Sequence, residues 1–459
     1  MGRLFGTDGV RGKAGEYPLD IPTIRRLGAA LSRALGHGPT GVRFLAGRDT
    51  RESGGWIERE LAAGMTSQGG TLTSAGVIPT PAIAYLTPRM GYTAGVVISA
   101  SHNPFADNGI KVFSGTGEKF TERLEDQVES IMGTLSDGPA EAGHYDSAGG
   151  VVSGFSGTVE EIDYRSDYIS HLLAILRPHE RHNSERIVVD CANGATTTVA
   201  PALFKQLGFD AKCIGCAPDG RNINLGCGST APELLARTVV EGGFRMGIAY
   251  DGDGDRAIFV DAAGRVVDGD AVMLMCAKQM KAEGRLQGNA VVATVMSNIG
   301  LEIALREAGI DLVRCAVGDK YVMEEMLKRG LSLGGEQSGH VIFAEYLFTG
   351  DGLATSLNVL RTMAATGREL ADLASELTTY PQVLLNVRVE RKVDLQTIPE
   401  VASVMSAVES KLSGHGRLLV RYSGTEPLLR VMLEGRDEAE IRQWGQEIVD
   451  AVKQNVKSQ

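Results

Sequence analysis

The sequence predicts an α/β protein of three related α/β domains followed by a smaller α+β module. Two observations carry this. An apolar run that leads through a polar loop into a helical segment closed by glycine occurs at three well-separated places. The last 85 or so residues instead alternate apolar and polar positions between amphipathic stretches. A chain of 459 residues is long enough for three or four domains.

Taken in order, the first unit runs from the strand-like Val42–Ala46 to a helix near Trp56–Ser67, closed by Gly69 and Gly70. The second runs from Ile187–Asp190 to a helix near Val199–Leu207, closed by Gly208. The third runs from Ala290–Val295 to a helix near Leu301–Ala308, closed by Gly309. Between the first two lies a stretch, residues 133–157, with seven glycines among Ser, Asp and Pro, which reads as a linker or surface excursion. A helix is expected after it, around Glu160–Leu176. Toward the C-terminus, Val383–Val389, Leu418–Tyr422 and Leu428–Leu433 read as strands, and Pro399–Leu412 and Glu438–Val452 as helices.

Glycine is in excess, 58 of 459 residues, with no G-X-Y period and only 15 prolines. Such glycines belong where the backbone turns or approaches a ligand. Only ten of them fall in the motifs described next, so most of the excess belongs to helix ends, the 133–157 stretch and domain junctions. The formal net charge of −11 argues against a nucleic-acid or anionic-membrane surface, while leaving room for a local basic pocket. No apolar run approaches the 18 residues of a spanning helix, and the N-terminus has no apolar signal region, so a cytoplasmic protein is expected. Met1-Gly2 lacks the Ser or Thr a myristoylation site needs at position 6. Six scattered cysteines are expected as free thiols; Cys213 and Cys216, with Cys227 nearby, lack the fourth ligand of a closed zinc site.

Five segments carry chemistry. Asp251-Gly-Asp253-Gly-Asp255-Arg256 lies between the apolar runs Met246–Tyr250 and Ala257–Val260. Alternate residues of an extended stretch point the same way, so the three carboxylates should converge, and all-oxygen ligation suits Mg²⁺. The competing reading is a solvated acidic turn. An EF-hand fails, with Arg256 at its glycine position and Ala262 at its glutamate position. Val96–Pro104, reading VVISASHNP, is a buried strand running into a polar turn, with Ser101 placed as a nucleophile or phosphate carrier, although most such serines merely cap backbone. Arg421-Tyr-Ser423-Gly424-Thr425-Glu426-Pro427-Leu-Leu-Arg430 offers fork donors, hydroxyls and a glycine turn suited to a phosphate, against a polar hairpin as the alternative. Gly334–His340 offers the Glu336 carboxylate, the Ser338 hydroxyl and the His340 imidazole for sugar hydroxyls, or a structural histidine. The clusters Gly6–Gly12 and Gly47–Arg51 read singly as ion pairs in turns. A GxGxxA run at Gly226–Ala231 lacks the preceding strand of a dinucleotide site.

Together FGTDGVRG, SASHNP, DGDGDR, GGEQSGH and RYSGTEP follow the order seen in the α-D-phosphohexomutase superfamily, and the resemblance spans Phe5 to beyond Arg430. FGTDGVRG, ISASHNPFADNGIKVF and GEQSGH are most similar to its bacterial phosphoglucosamine mutase branch. The resemblance implies a heart-shaped protein of three α/β domains with mixed sheets and a mobile α+β lid. The domains would span 1–157 with the phosphoserine loop, 158–256 with the metal loop, 257–370 with the sugar loop and 371–459 with the phosphate loop.

Carried over by position, Ser101 would be the phosphoserine, and Asp251, Asp253 and Asp255 would hold Mg²⁺ together with an oxygen of Ser101. Glu336 and Ser338 would bind sugar hydroxyls, and Arg421, Ser423, Gly424, Thr425 and Arg430 the phosphate that is not transferred. Arg11, Lys111 and His340 would lie near the reacting oxygen. The implied reaction interconverts glucosamine 6-phosphate and glucosamine 1-phosphate through a 1,6-bisphosphate that is both intermediate and activator, feeding UDP-N-acetylglucosamine and cell-wall synthesis. Glucose or mannose phosphates are the alternative substrates. The partner is a small sugar phosphate, with no nucleic acid and no membrane, and the chain a monomer or homodimer. Two positions depart from the usual pattern: Tyr422 stands where Lys or Pro is common, and Lys320 where Arg is more usual, which puts a bidentate contact there in doubt.

Overall fold

The computed structural model describes residues 3–6, 8–36, 41–135, 159–176, 185–389, 391–422 and 428–456. The chain divides into two compact units, Met1–Met296 with Leu312–Ser375, and Ser297–Asp311 with Glu376–Gln459.

The first unit carries three sheets. One contains β1 (Val10–Lys13), β2 (Arg43–Arg48), β3 (Thr71–Val77), β4 (Ala94–Ile98), β5 (Asp107–Ser114) and β6 (Glu160–Glu161), in the order β1-β5-β4-β2-β3-β6. The next contains β7 (Arg186–Asp190), β8 (Asp210–Ile214), β9 (Met246–Tyr250), β10 (Ala257–Asp261) and β11 (Val266–Val267), ordered β11-β10-β9-β7-β8. The last contains β12 (Ala290–Thr294), β13 (Asp311–Cys315), β14 (Leu333–Gly335) and β15 (Val341–Phe343), ordered β13-β12-β14-β15.

The three sheets repeat one plan. The series β3-β2-β4-β5, β8-β7-β9-β10 and β13-β12-β14-β15 have the same order. In each, the third strand in sequence runs parallel to the first, as β4 to β2, β9 to β7 and β14 to β12. In each, the fourth strand runs antiparallel to the third. The loop between those two strands therefore leaves the carboxyl end of a central parallel strand, where ligands of open α/β sheets bind.

Periodicity makes the helices. In Ile21–Leu35 the buried residues Ile24, Leu27 and Leu31 recur at helical spacing, and Asp20 caps the start by accepting the Thr23 N–H at 2.9 Å. That face joins Phe44, Ile57, Leu61, Val96 and Ile110 in the core around the first sheet. Each such fully buried aliphatic or aromatic side chain contributes about 1.5–3 kcal/mol. β4 and β9 are buried along their whole length, which explains their unbroken apolar runs.

The expected helix around Glu160–Leu176 begins later. Glu160 and Glu161 instead extend the first sheet as the edge strand β6, and the helix spans Arg165–Leu173. Asp163 sets that start by accepting the Arg165 N–H at 3.0 Å. Most of the glycine-rich stretch, residues 136–157, lies outside the described residues.

In the second unit β16 (Gln382–Arg388), β17 (Arg417–Tyr422) and β18 (Leu428–Glu434) form an antiparallel sheet ordered β16-β18-β17. Helices Pro399–Leu412 and Glu438–Asn455 pack on it through Val408, Ile448, Val449, Leu429 and Val431. Among the described residues, no helix of the chain is long and apolar enough to cross a membrane.

Candidate functional site

The equivalent loops of the three sheets bear the predicted residues. Ser101 follows β4, Asp251, Asp253 and Asp255 follow β9, and Glu336, Ser338 and His340 lie between β14 and β15. Ser101 sits at φ 53°, in the left-handed region that serine occupies only under strain. Its N–H donates to Ser99 Oγ at 2.9 Å. Its carbonyl accepts from Arg51 Nη2 at 3.2 Å and Asn224 Nδ2 at 2.9 Å, and the same two side chains reach the Asn103 carbonyl at 2.5 and 3.1 Å. Arg51 is itself paired with Asp49, both fully buried. The cluster Gly47–Arg51 is thus the ion pair expected of it, and it also holds the serine loop.

Ser101 Oγ donates to Asp251 Oδ2. The carboxylates of Asp251, Asp253 and Asp255 lie within 4.8 Å of one another and are buried. Their convergence is the expected one, but its cause is different. The loop is a set of turns rather than extended chain: Gly254 N–H closes on the Asp251 carbonyl at 3.1 Å, and Gly254 takes φ 74°. Gly252 has no room for a Cβ, which would meet the Ser101 carbonyl oxygen at 2.5 Å and Asn224 Nδ2 at 2.9 Å. Asp253 is fixed by Thr80, whose Oγ1 donates to Oδ2 at 2.6 Å and whose N–H donates to its carbonyl at 2.8 Å.

Lys111 Nζ lies among carboxylates, 2.9 Å from Asp253, 3.2 Å from Asp255 and 3.1 Å from Asp8. Burial works against its charge, but Asp253, Asp8 and Asp255 outweigh burial and hold its pKa well above the usual lysine range. Asp251 shows the opposite balance. Burial, then the neighbouring Asp255 and Asp253, push its carboxyl well above the usual range. Asp253 Oδ1 and Asp255 Oδ1 are buried with no hydrogen-bond partner. Three converging carboxylates, two of them with an unsatisfied buried oxygen, form a donor set that fits a divalent oxygen-loving cation. No cysteine enters the metal-compatible groups among the described residues, and all six cysteines are free.

Arg11 pairs with Asp8, which is also held by Lys111 and Lys119. His340 is buried, with Nδ1 3.7 Å from Asp255 and Nε2 3.5 Å from Asp319. Gly350 N–H donates to His340 Nε2 at 3.0 Å, which leaves the ring proton on Nδ1 in the neutral imidazole. Gly350 permits this approach because a Cβ there would meet the ring carbon at 2.5 Å. Glu336 Oε1 accepts the Gly318 N–H at 3.2 Å, and Ser338 is exposed.

Ser101, Lys111, the three aspartates, Arg11 and His340 are thus linked by contacts within the first unit. In the second unit Arg421 and Arg430 face each other across β17 and β18. Ser423, Gly424 and Thr425 lie outside the described residues. The Tyr422 hydroxyl donates to the Val393 carbonyl at 2.8 Å and accepts its N–H at 3.1 Å. Lys320 pairs with Glu125 at 2.9 Å.

Sequence reasoning assigned no role to several residues that build the site. Arg256 closes the aspartate motif. It is packed beside Asp255 at 3.7 Å, and its N–H donates to Asp251 Oδ1 at 3.1 Å. His102 places Nδ1 3.4 Å from Ser101 Oγ, and burial, then Arg256 and Arg11, hold its pKa below the usual value. Asn224 follows no motif; it lies beside the GxGxxA run, which no strand precedes.

The chain matches the family described as phosphoglucomutase/phosphomannomutase in four consecutive pieces: α/β/α domain I over residues 2–138, domain II over 166–264, domain III over 268–380 and the C-terminal domain over 384–451. The phosphoglucosamine mutase of Solibacter usitatus is 47% identical over 453 residues, covering 99% of both chains. That of Syntrophotalea carbinolica is 46% identical over 463 residues, covering 99% of this chain and 98% of its own. Among solved structures, a phosphoglucomutase/phosphomannomutase family protein from Burkholderia thailandensis superposes with TM-score 0.79 at 23% identity, covering 99% and 98% of the two chains. An Aspergillus fumigatus N-acetylphosphoglucosamine mutase, solved with GlcNAc-6P and magnesium, superposes with TM-score 0.65 at 18% identity over 98% and 95%. Identity of this order along the whole chain, on a thrice-repeated sheet that gathers serine and carboxylates at equivalent loops, makes the chain a member of the phosphoglucosamine mutase family, phosphohexomutases that act as isomerases.

Proposed function

We propose that the protein interconverts glucosamine 6-phosphate and glucosamine 1-phosphate, with Ser101 as the phosphoryl carrier. The observation that carries this is the hydrogen bond from Ser101 Oγ to Asp251 at the edge of the three-carboxylate cluster. The substrate assignment is supported by the printed names of relatives at 45–47% identity.

In the forward direction the sugar O1 hydroxyl attacks the phosphorus on Ser101. The P–Oγ bond breaks as the O1–P bond forms, giving the 1,6-bisphosphate. The bisphosphate, turned end for end, returns its O6 phosphoryl group to Ser101 and leaves as the 1-phosphate. Each transfer moves one proton from an attacking hydroxyl. We assign the Ser101 proton on the return step to Asp251, whose Oδ2 accepts from Ser101 Oγ. Arg11, Lys111 and His340 are the groups we assign to the proton of the sugar hydroxyl and to charge on the transferring phosphoryl oxygens. Asp251, Asp253 and Asp255 would hold the divalent ion, which we take as Mg²⁺. When bound, it supplies positive charge to the phosphoryl oxygens.

Glu336 and Ser338 we assign to the sugar hydroxyls, and Arg421, Ser423, Gly424, Thr425 and Arg430 to the phosphate that stays in place. A site that reads a phosphate rather than its sugar carbon can hold either end of the bisphosphate. We keep 1–157, 158–256, 257–370 and 371–459 as the domains that carry these four loops.

The test is ³¹P NMR of the protein with Mg²⁺ and glucosamine 6-phosphate. Growth of a glucosamine 1-phosphate resonance supports the reading. Release of inorganic phosphate alone would make the protein a phosphatase, and faster exchange with glucose or mannose 6-phosphate would reassign the substrate.

A further inference from the structure

The proposed catalytic groups are tied into a closed circuit by three residues to which no role has been given. Lys111 Nζ is 3.1 Å from Asp8. The other oxygen of Asp8 pairs with Lys119 Nζ, which also pairs with Asp319. Asp319 is 3.5 Å from His340 Nε2, His340 Nδ1 is 3.7 Å from Asp255, and Asp255 is 3.2 Å from Lys111. The circuit is Lys111, Asp8, Lys119, Asp319, His340, Asp255 and back to Lys111. Acidic residues alternate with basic ones, and His340 adds a positive charge when its imidazole is protonated. Every member is buried except Asp8, which is partly buried.

Lys119 is the member through which the circuit passes from the first sheet to the third. It lies just beyond β5, beside the first sheet, while Asp319 opens the helix Asp319–Arg329 that packs on the third. The next residue repeats the link with the signs reversed, Lys320 pairing with Glu125 of the helix Glu122–Thr134. Two adjacent residues of opposite charge therefore meet two partners of opposite charge. A slip of one residue would bring like charges together in a buried place, which fixes the register of this junction.

We infer that Lys119 and Asp319 are positioning residues for the phosphoryl transfer: Lys119 holds Asp8, the partner of Lys111, and its other partner Asp319 sets the charge beside the His340 ring, 3.5 Å from Nε2. They act through other side chains and need not touch substrate. The inference rests on the mutase reading for its kinetic arm only. A displacement of about 1 Å at a reacting group costs on the order of 100-fold in rate.

The experiment is a double-mutant cycle with Lys119→Met and Asp319→Asn, read by kcat, KM and the imidazole ¹⁵N signals of His340. Each single variant should lower kcat by about 10- to 100-fold with KM changed less than about threefold, and the double variant should fall no further than the worse single one. Lys119→Arg should restore most of kcat. The His340 signals should shift in the same direction in both single variants, a readout that needs no turnover. It decides the circuit even if the wild-type protein isomerises none of the sugar phosphates, a result that would sink the mutase reading alone. Should Lys119→Met fail to fold, Asp319→Asn, nearly isosteric, carries the test through both readouts. Effects that multiply independently, a loss confined to thermal stability, or unchanged His340 signals would overturn the inference.

Discussion

Ser101 Oγ donates a hydrogen bond to Asp251 Oδ2 across 150 residues of sequence, joining the loop after β4 to the loop after β9. Asp251 is the aspartate whose carboxyl burial and its two acidic neighbours push up, so metal-free protein stores repulsion there. A bound cation removes that repulsion. Asp251→Asn should therefore leave the metal-free protein at least as stable as wild type. It should abolish the stabilisation expected from Mg²⁺ in the wild type, about 2.7 kcal/mol at a hundredfold excess over Kd and read as a rise in melting temperature. Differential scanning fluorimetry with and without Mg²⁺ checks both. An unchanged Mg²⁺ response in the variant would remove Asp251 from the ligand set.

Arg51 gives a prediction that separates stability from activity. It neutralises the buried Asp49 and supports the Ser101 and Asn103 carbonyls. Burial already pushes the Asp49 carboxyl up, with Arg51 opposing it. Arg51→Met should cost about 3–5 kcal/mol in urea unfolding, because it leaves a buried charge unpaired. Adding Asp49→Leu should recover much of that stability. Mutase activity should not return, because the strained serine backbone has still lost one of its two donors, Arg51, and keeps only Asn224. Recovery of activity with stability would mean that Arg51 acts only as a counter-ion.

Asp351 predicts a pH dependence. It caps the helix Gly352–Thr366, accepts the Tyr168 hydroxyl at 2.7 Å, and burial raises its pKa to about 6. Its folded pKa lies above the unfolded one, so its contribution to stability is complete below about 4 and is lost as pH rises through about 6. Two units correspond to roughly 3 kcal/mol. His171 runs the other way in the same window, because burial, then Arg89, lowers its pKa to about 4. The difference between wild type and Asp351→Asn isolates the effect. The variant should lose stability relative to wild type at pH 4 and gain on it by pH 7, measured by denaturant unfolding. A pH-independent difference would contradict the shift.

What the sequence made legible follows from how local each signal is. Buried runs ending in glycine-spaced aspartates or in SASHNP mark loops at strand ends, and the three sheets place them at equivalent positions. The convergence of Asp251, Asp253 and Asp255 was legible, but not its geometry, because turn conformations at Gly254 replace the extended alternation. Lys119, Asp319 and Asn224 were not legible. Lys119 meets partners 111 and 200 residues away, and Asn224 meets Ser101 across 123, so no spacing rule could single them out. Lys320, where an arginine fork is more usual, makes a buried pair with Glu125, which a single ammonium suffices to form.

Whether Ser101 carries the phosphoryl group is decided by mass spectrometry of the purified protein paired with assay of Ser101→Ala. A single phosphate of about 80 Da is expected on the Ser101 peptide, removed by substrate turnover without bisphosphate, with loss of mutase activity by several orders of magnitude in the variant. Full activity of Ser101→Ala without added bisphosphate, or phosphate found only on another residue, would contradict it.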